Sequence, residues 1–166
     1  MSEHDRDGLL AEAIGLREQG QAEEARERLL MLAAGHPEDA EVAYQTAWVH
    51  DVLGLEAEAV PFYERSLRGA GLPEEDRRGA LLGLGSTYRV LGQRTKAVET
   101  LRLGVAEFPE DGALQSFLAM ALFNTGQHHE AVQILLRLIA TTSQDAYVQR
   151  YRRAIEHYAR DLDETL

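Results

Sequence analysis

The chain has no cysteine. That excludes a disulfide scaffold, thiolate zinc sites and a cysteine nucleophile, and it suits a reducing cytosol. No stretch approaches the roughly 18 uncharged apolar residues that a membrane-spanning helix needs, so no membrane partner is expected. The opening segment, MSEHDRDGLL, lacks the basic start and apolar core of a signal peptide, and a cytoplasmic location is the expectation. Prolines number only four and tryptophan occurs once. Basic residues are scarce, 17 Lys and Arg against 28 Asp and Glu, for a net charge of −11. The imbalance is local: residues 1–76 carry 18 acidic and 6 basic residues (−12), and residues 77–166 carry 10 acidic and 11 basic (+1). An acidic half repels phosphate backbones and anionic lipid, so a nucleic-acid partner is not expected; a basic or mixed-character partner suits it better, and solubility is the plainer explanation.

Catalytic and metal-binding patterns are also missing. The histidines are His4, His36, His50, His128, His129 and His157. His128 and His129 are adjacent, but no third ligand stands at a metal-site spacing, and no metal or other cofactor is expected. His50 next to Asp51 has the chemistry of a general base, although a satisfied or solvated histidine is much the plainer explanation. Gly83 and Gly85 sit inside a helical pattern without a preceding strand, so they form no dinucleotide loop. Arg77, Arg78, Arg89, Arg94 and Arg102 make a modest positive region with no aromatic ladder or zinc module beside it. No catalytic residue emerges, and the expectation is that the protein is not an enzyme.

What the chain does have is a recurrence. A glycine ends an apolar helical stretch and an alanine follows five residues later: Gly20 and Ala25, Gly54 and Ala59, Gly92 and Ala97, Gly126 and Ala131. The glycines are spaced by 34, 38 and 34 residues. That period marks a two-helix repeat stacked into a solenoid. At 166 residues the chain fits a single domain, with repeats near 6–39, 40–77, 78–111 and 112–145. Within them Leu9, Ala13 and Leu16, or Ala25, Leu29 and Leu32, keep helical spacing, and Pro37 and Pro109 close units. The small residues Ala13, Ala25, Ala47, Ala59, Gly85, Ala97, Ala119 and Ala131 are expected where two helices approach closely. The stretched interval falls at Gly69–Asp76, where four additional residues are expected to lengthen the turn or the start of the next helix. A last helix is expected over 145–162, with Ser143 as a candidate cap and a polar outer face that closes the array.

The pattern resembles the tetratricopeptide repeat family over roughly residues 6–143. The strongest segments are AEAIGLREQGQAEEARERLLMLAAGHP and LLGLGSTYRVLGQRTKAVETLRLGVAEFP. The Leu72–Leu101 region resembles a small group of short bacterial members of that family without an assigned function. The resemblance implies an all-α superhelix of four helical hairpins plus a capping helix, in which the first helices line a concave groove. Carried over position by position, the lining is Asp7, Leu10, Ile14 and Arg17, then Glu41, Tyr44, Trp48 and Asp51, then Gly79, Leu82, Ser86 and Arg89, then Ala113, Ser116, Met120 and Phe123. Gln45 and Phe117 lie beside it.

From this set Tyr44, Gln45, Trp48, Asp51, Ser86, Arg89, Ser116, Met120 and Phe123 are the expected peptide-binding residues. Aromatic and arginine side chains are common hot spots, although Trp48 suits self-packing or a dimer contact as well. Some family members grip carboxylate tails with basic and amide side chains. Here those positions are Leu10, Ile14 and Gln45, which argues against a chaperone-tail receptor. The expected function is therefore a non-enzymatic adaptor for a protein or peptide segment. The alternatives are a homo-oligomerisation module, including a homodimer, and a small-ligand protein or hydrolase built near His50 and Asp51.

Overall fold

The computed structural model describes residues 3–165. Of the N-terminal segment read above, Met1 and Ser2 lie outside the described residues, as do the side chains of Glu3 and His4. The described residues are all-helical apart from connecting turns. Two compact units divide the chain, Met1–Gly92 and Gln93–Leu166.

The first unit contains α1 (Glu3–Glu18), α2 (Ala22–Gly35), α3 (Ala40–Val52), α4 (Glu56–Arg68) and α5 (Glu74–Val90). Here α1, α3 and α5 touch in succession, while α2 packs on α1 and α3, and α4 packs on α3 and α5. This gives two helix layers, with first helices in one and second helices in the other. Where the layers meet, Leu10, Ala13, Ala25, Leu29, Leu32, Val42 and Val49 form a buried cluster. Each large side chain buried there contributes about 1.5–3 kcal/mol. Ala25 and Ala59 expose no surface at all, so a larger side chain at either position would overpack its surroundings.

The second unit contains α6 (Arg94–Glu107), α7 (Gly112–Asn124), α8 (His128–Thr142) and α9 (Ala146–Tyr158), with each helix packed on the next. Leu101, Leu114 and Leu122 are its largest fully buried side chains, and Ala97 and Ala131 are buried with them.

The signature glycines share one local geometry. Gly20, Gly54, Gly92 and Gly126 all have positive φ, between 70° and 81°. After Gly20 the Gln21 amide donates back to the Leu16 carbonyl at 2.9 Å, and Leu55 to His50 and Gln127 to Leu122 repeat that bond. Such a bond satisfies a carbonyl that the helix end leaves unpaired, and it requires a left-handed residue at the glycine.

Helix starts are equally local. Pro37-Glu38-Asp39 and Pro109-Glu110-Asp111 end one repeat and open the next. Asp39 accepts a hydrogen bond from the Val42 amide at 2.9 Å, and Asp111 accepts one from Leu114 at 2.8 Å. The stretched interval resolves into helix: α5 has 17 residues where α3 and α7 have 13, one extra turn at its N-terminus. Glu74, Glu75 and Asp76 occupy that turn, where carboxylates face the positive end of the helix dipole.

Two details at the C-terminal end differ from expectation. The cap of α9 is Asp145, whose carboxylate accepts from the Tyr147 and Val148 amides. Ser143 instead ends α8 and accepts from the Asp145 amide. The helix itself ends at Tyr158, short of 162, because a turn follows at Ala159 and Arg160.

Candidate functional site

One face of α3 carries Tyr44, Trp48 and Asp51, three and four residues apart and so on one side of the helix. Opposite them α5 presents Gly79, Leu82, Gly83 and Ser86. Between the two helices lies a cleft of about 490 Å³, lined by Tyr44, Trp48, Asp51, Val52, Tyr63, Gly79, Leu82, Gly83 and Ser86. All of it belongs to the first unit.

The cleft depends on two glycines. A β-carbon at residue 79 would collide with the Tyr44 hydroxyl, and one at residue 83 would collide with the Tyr63 hydroxyl. Glycine at both positions lets the two phenols reach under α5. Tyr44 is consequently buried, and the Tyr44 and Tyr63 rings stand 6.4 Å apart. Burial pushes the Tyr44 phenol up to about 12, and the acidic residues Asp76 and Glu75 of the added α5 turn act in the same direction.

Asp51 forms the polar floor. Its Oδ2 accepts the Tyr63 hydroxyl at 2.6 Å, and Thr87 Oγ1 lies 3.0 Å from Oδ1. Burial raises the Asp51 carboxyl above its ordinary value, and the two hydroxyls only partly counter that. Both of these partners are neutral. By contrast, carboxylates of the polar cleft at the start of α3 share a cation of the chain's own: Arg6 donates to Asp7, Asp39 and Glu41, each at 2.8 Å.

Trp48 forms the wall. It is 41% exposed, yet one face is covered, because the Arg17 guanidinium lies 3.6 Å from its ring centroid. Arg17 is itself only 7% exposed and donates to Gln45 Oε1 at 2.6 Å. Burial lowers the pKa of this guanidinium. The stack holds the indole in one orientation and is worth about 1 kcal/mol or more once desolvated.

The expected groove residues thus divide. Tyr44, Trp48, Asp51 and Ser86 line one cleft. Gln45 lies beneath the surface, occupied by Arg17, and so does not face the cleft as an open hydrogen-bonding group. Arg89 is half-buried near the end of α5 and is not part of the cleft lining; its Nε is buried without an acceptor among the described residues. In the second unit, Met120 and Phe123 are exposed on α7, with Phe123 against His128 at 4.8 Å between ring centroids. Ser116 on the same helix donates to its own backbone at Gly112.

Tyr63 and Thr87 are the partners that sequence reading missed. Tyr63 stands four residues after the signature Ala59 and reads as a core filler, while Thr87 sits 36 residues from Asp51. The expectation of chemistry near His50 meets a different environment. His50 is buried, its Nδ1 is 2.7 Å from the Thr46 carbonyl, and its ring stacks on Phe62. It is not part of the lining of the cleft to which its neighbour Asp51 belongs. Among the described residues no cluster of three metal-ligating side chains occurs, and no helix is long and apolar enough to cross a membrane.

Comparison with solved structures places this helix arrangement among known ones. MamA from Desulfovibrio magneticus RS-1 (residues 41 to the end) superposes with a TM-score of 0.74 at 18% identity, covering 96% of this chain and 91% of that one. Nearly identical TPR-like repeats from Podosopora anserina, assigned to a kinesin light chain, give 0.70 at 24% identity, with coverage of 95% and 87%. The APC/C hetero-tetramer Cut9-Hcn1 gives 0.66 at 21% identity, covering 95% of this chain and 30% of that one. Among curated proteins none matches the chain. The sequence profile described as Tetratrico peptide repeat matches residues 40–162, about three quarters of the length. With paired helices, a left-handed glycine at each signature turn and that match, the chain belongs to the tetratricopeptide repeat family.

Proposed function

We propose that the protein is a non-enzymatic adaptor that holds a protein or peptide segment against the first-helix face, with the α3–α5 cleft as its principal contact. One observation carries this reading. Trp48 keeps much of its indole exposed at the wall of an open cleft while Arg17 stacks on its covered face. A large aromatic held rigid and left open is the type of residue that anchors interfaces. Members of this family serve as interaction scaffolds, which agrees with the cleft chemistry. Cytoplasmic residence and the absence of a nucleic-acid partner belong to the same proposal and rest on the acidic, cysteine-free composition.

Affinity capture from native extract tests it. Partners retained by the wild-type chain are expected to be lost with Trp48→Ala. Retention of every specific partner by this variant would remove the groove reading.

A second reading, self-association, is favoured by a separate observation. Tyr147, Tyr151 and Tyr158 on α9 are all more than half exposed, while Val148, Ile155 and Ala159 supply the packed side. An open tyrosine stripe suits a contact between copies of the chain. Sedimentation across a range of concentrations is expected to reveal a dimer if this face self-associates; a monomer throughout removes that reading.

A further inference from the structure

We propose that the α3–α5 cleft selects a cationic side chain, lysine or arginine, of the bound segment, with Asp51 as its counter-charge and Trp48, Val52 and Leu82 along its stem. The inference rests on the groove reading above and gives it a ligand chemistry.

A partly buried carboxylate ordinarily has a cation or several amide donors near it. Asp51 has two neutral hydroxyls, from Tyr63 and Thr87, and an open cleft. The two hydroxyls orient the carboxylate without neutralising it. Arg17 packs against α3, and it is committed to Gln45 and the covered side of Trp48.

The rest of the lining matches a side chain with an apolar stem and a charged tip. Trp48, Val52 and Leu82 offer hydrocarbon along the walls, and Asp51 offers one charge at the floor. Lysine and arginine bury their methylenes in this manner while their heads seek a polar group. An acidic ligand side chain would meet a like charge, and a purely apolar one would leave Asp51 desolvated and uncompensated. Nearby acidic residues add long-range attraction. Glu41 and Glu75 act electrostatically on Asp76, and Asp76 and Glu75 act on the cleft residue Tyr44. Negative charge felt at the cleft raises the local concentration of basic segments and speeds their association.

Trp48 is the sole tryptophan, so its emission reports directly on the cleft. The probes are blocked peptides, acetyl-(Gly-Lys)4-amide and its Arg, Glu and Ser counterparts, with spermidine as a free amine. The Lys and Arg peptides are expected to shift Trp48 emission saturably, at least tenfold more tightly than the Glu or Ser peptides or spermidine. Asp51→Asn is expected to weaken the Lys peptide by tenfold or more while the circular dichroism and melting curve remain those of a folded chain. Ser86→Lys, which tethers a competing cation in the cleft and keeps Asp51, is expected to weaken it similarly.

Equal binding of the Ser peptide, or unchanged affinity in both folded variants, overturns the cationic assignment and leaves the groove reading standing if extract partners are still lost with Trp48→Ala. Spermidine binding as tightly as the Lys peptide overturns the peptide assignment. Failure of every probe, together with retention of extract partners by Trp48→Ala, overturns both.

Discussion

The phenol of Tyr63 occupies the space that a β-carbon on Gly83 would take. Its hydroxyl passes beneath α5 at that point and continues to Asp51. The smallness of one residue on α5 thus positions an acidic group on α3. Alanine at 83 gains about 1 kcal/mol of intrinsic helix propensity but forces Tyr63 or α5 to move, at a cost of about 1–3 kcal/mol. Gly83→Ala is therefore expected to lower the denaturation midpoint. Gly79→Ala, opposed by Tyr44, should do the same. An unchanged midpoint in either variant would mean that the phenol can swing aside without loss.

Asp51 should be a poor contributor to stability. Burial raises its carboxyl in the folded chain above the ordinary value, so the folded state binds protons more readily there than the unfolded state. Stability from this group then increases as pH falls through the raised value and is lowest at neutral pH. Asp51→Asn keeps an acceptor for Tyr63 and removes the charge. Its melting temperature at pH 7 is expected to equal or exceed that of the wild type, with the gap closing toward acid pH. A clear loss of stability at pH 7 would mark Asp51 as a structural residue.

Asp39 behaves in the opposite sense. Burial works to raise its carboxyl, but the Arg6 fork and the Val42 amide together hold it below the ordinary value. That contribution is complete above the ordinary carboxylate range and is lost as pH falls through the lowered folded value. Asp39→Ala removes the α3 cap and is expected to cost about 1–2 kcal/mol at neutral pH. Denaturation of both proteins at stepwise lower pH should show the difference shrinking; a constant difference would assign the loss to packing alone.

At Gly54 the backbone has φ of 70° and a β-carbon would meet nothing within 4 Å. The cost of Gly54→Ala is therefore conformational, about 1–2 kcal/mol, with Gly54→Asn recovering part of it. Ala97 is the opposite case, fully buried in the second unit. Ala97→Leu is expected to cost about 1–3 kcal/mol through overpacking. Paired melting curves separate the two mechanisms, because only the Gly54 loss should be relieved by a residue that tolerates left-handed backbone.

Much of this was legible along the chain. The signature glycines and the alanines behind them mark the turn inside each hairpin, and Pro37 and Pro109 mark two of the boundaries between hairpins, because turn geometry is decided by a few neighbouring residues. The stretched interval was legible as an insertion, but not as a full helical turn of α5, since Leu72, Pro73 and three acidic residues are compatible with either a longer loop or an earlier helix start. The site was legible in part. Tyr44, Trp48, Asp51 and Ser86 meet in one cleft, whereas Gln45 is held below it by Arg17 and Arg89 stands outside its lining. Helical spacing assigns these residues to a face, and it does not say which of them another side chain will cover.

The sequence by itself determined the helical hairpins and where they turn, through glycine stereochemistry, aspartate caps and helical periodicity, all of which act over a few residues. Only the tertiary structure decided that Asp51 meets Tyr63 and Thr87, that Arg17 covers one side of Trp48, and that His50 stacks on Phe62. Those relations join residues on different helices, up to 36 positions apart. They depend on how closely the helices pack, which Gly79 and Gly83 set and which no local pattern expresses.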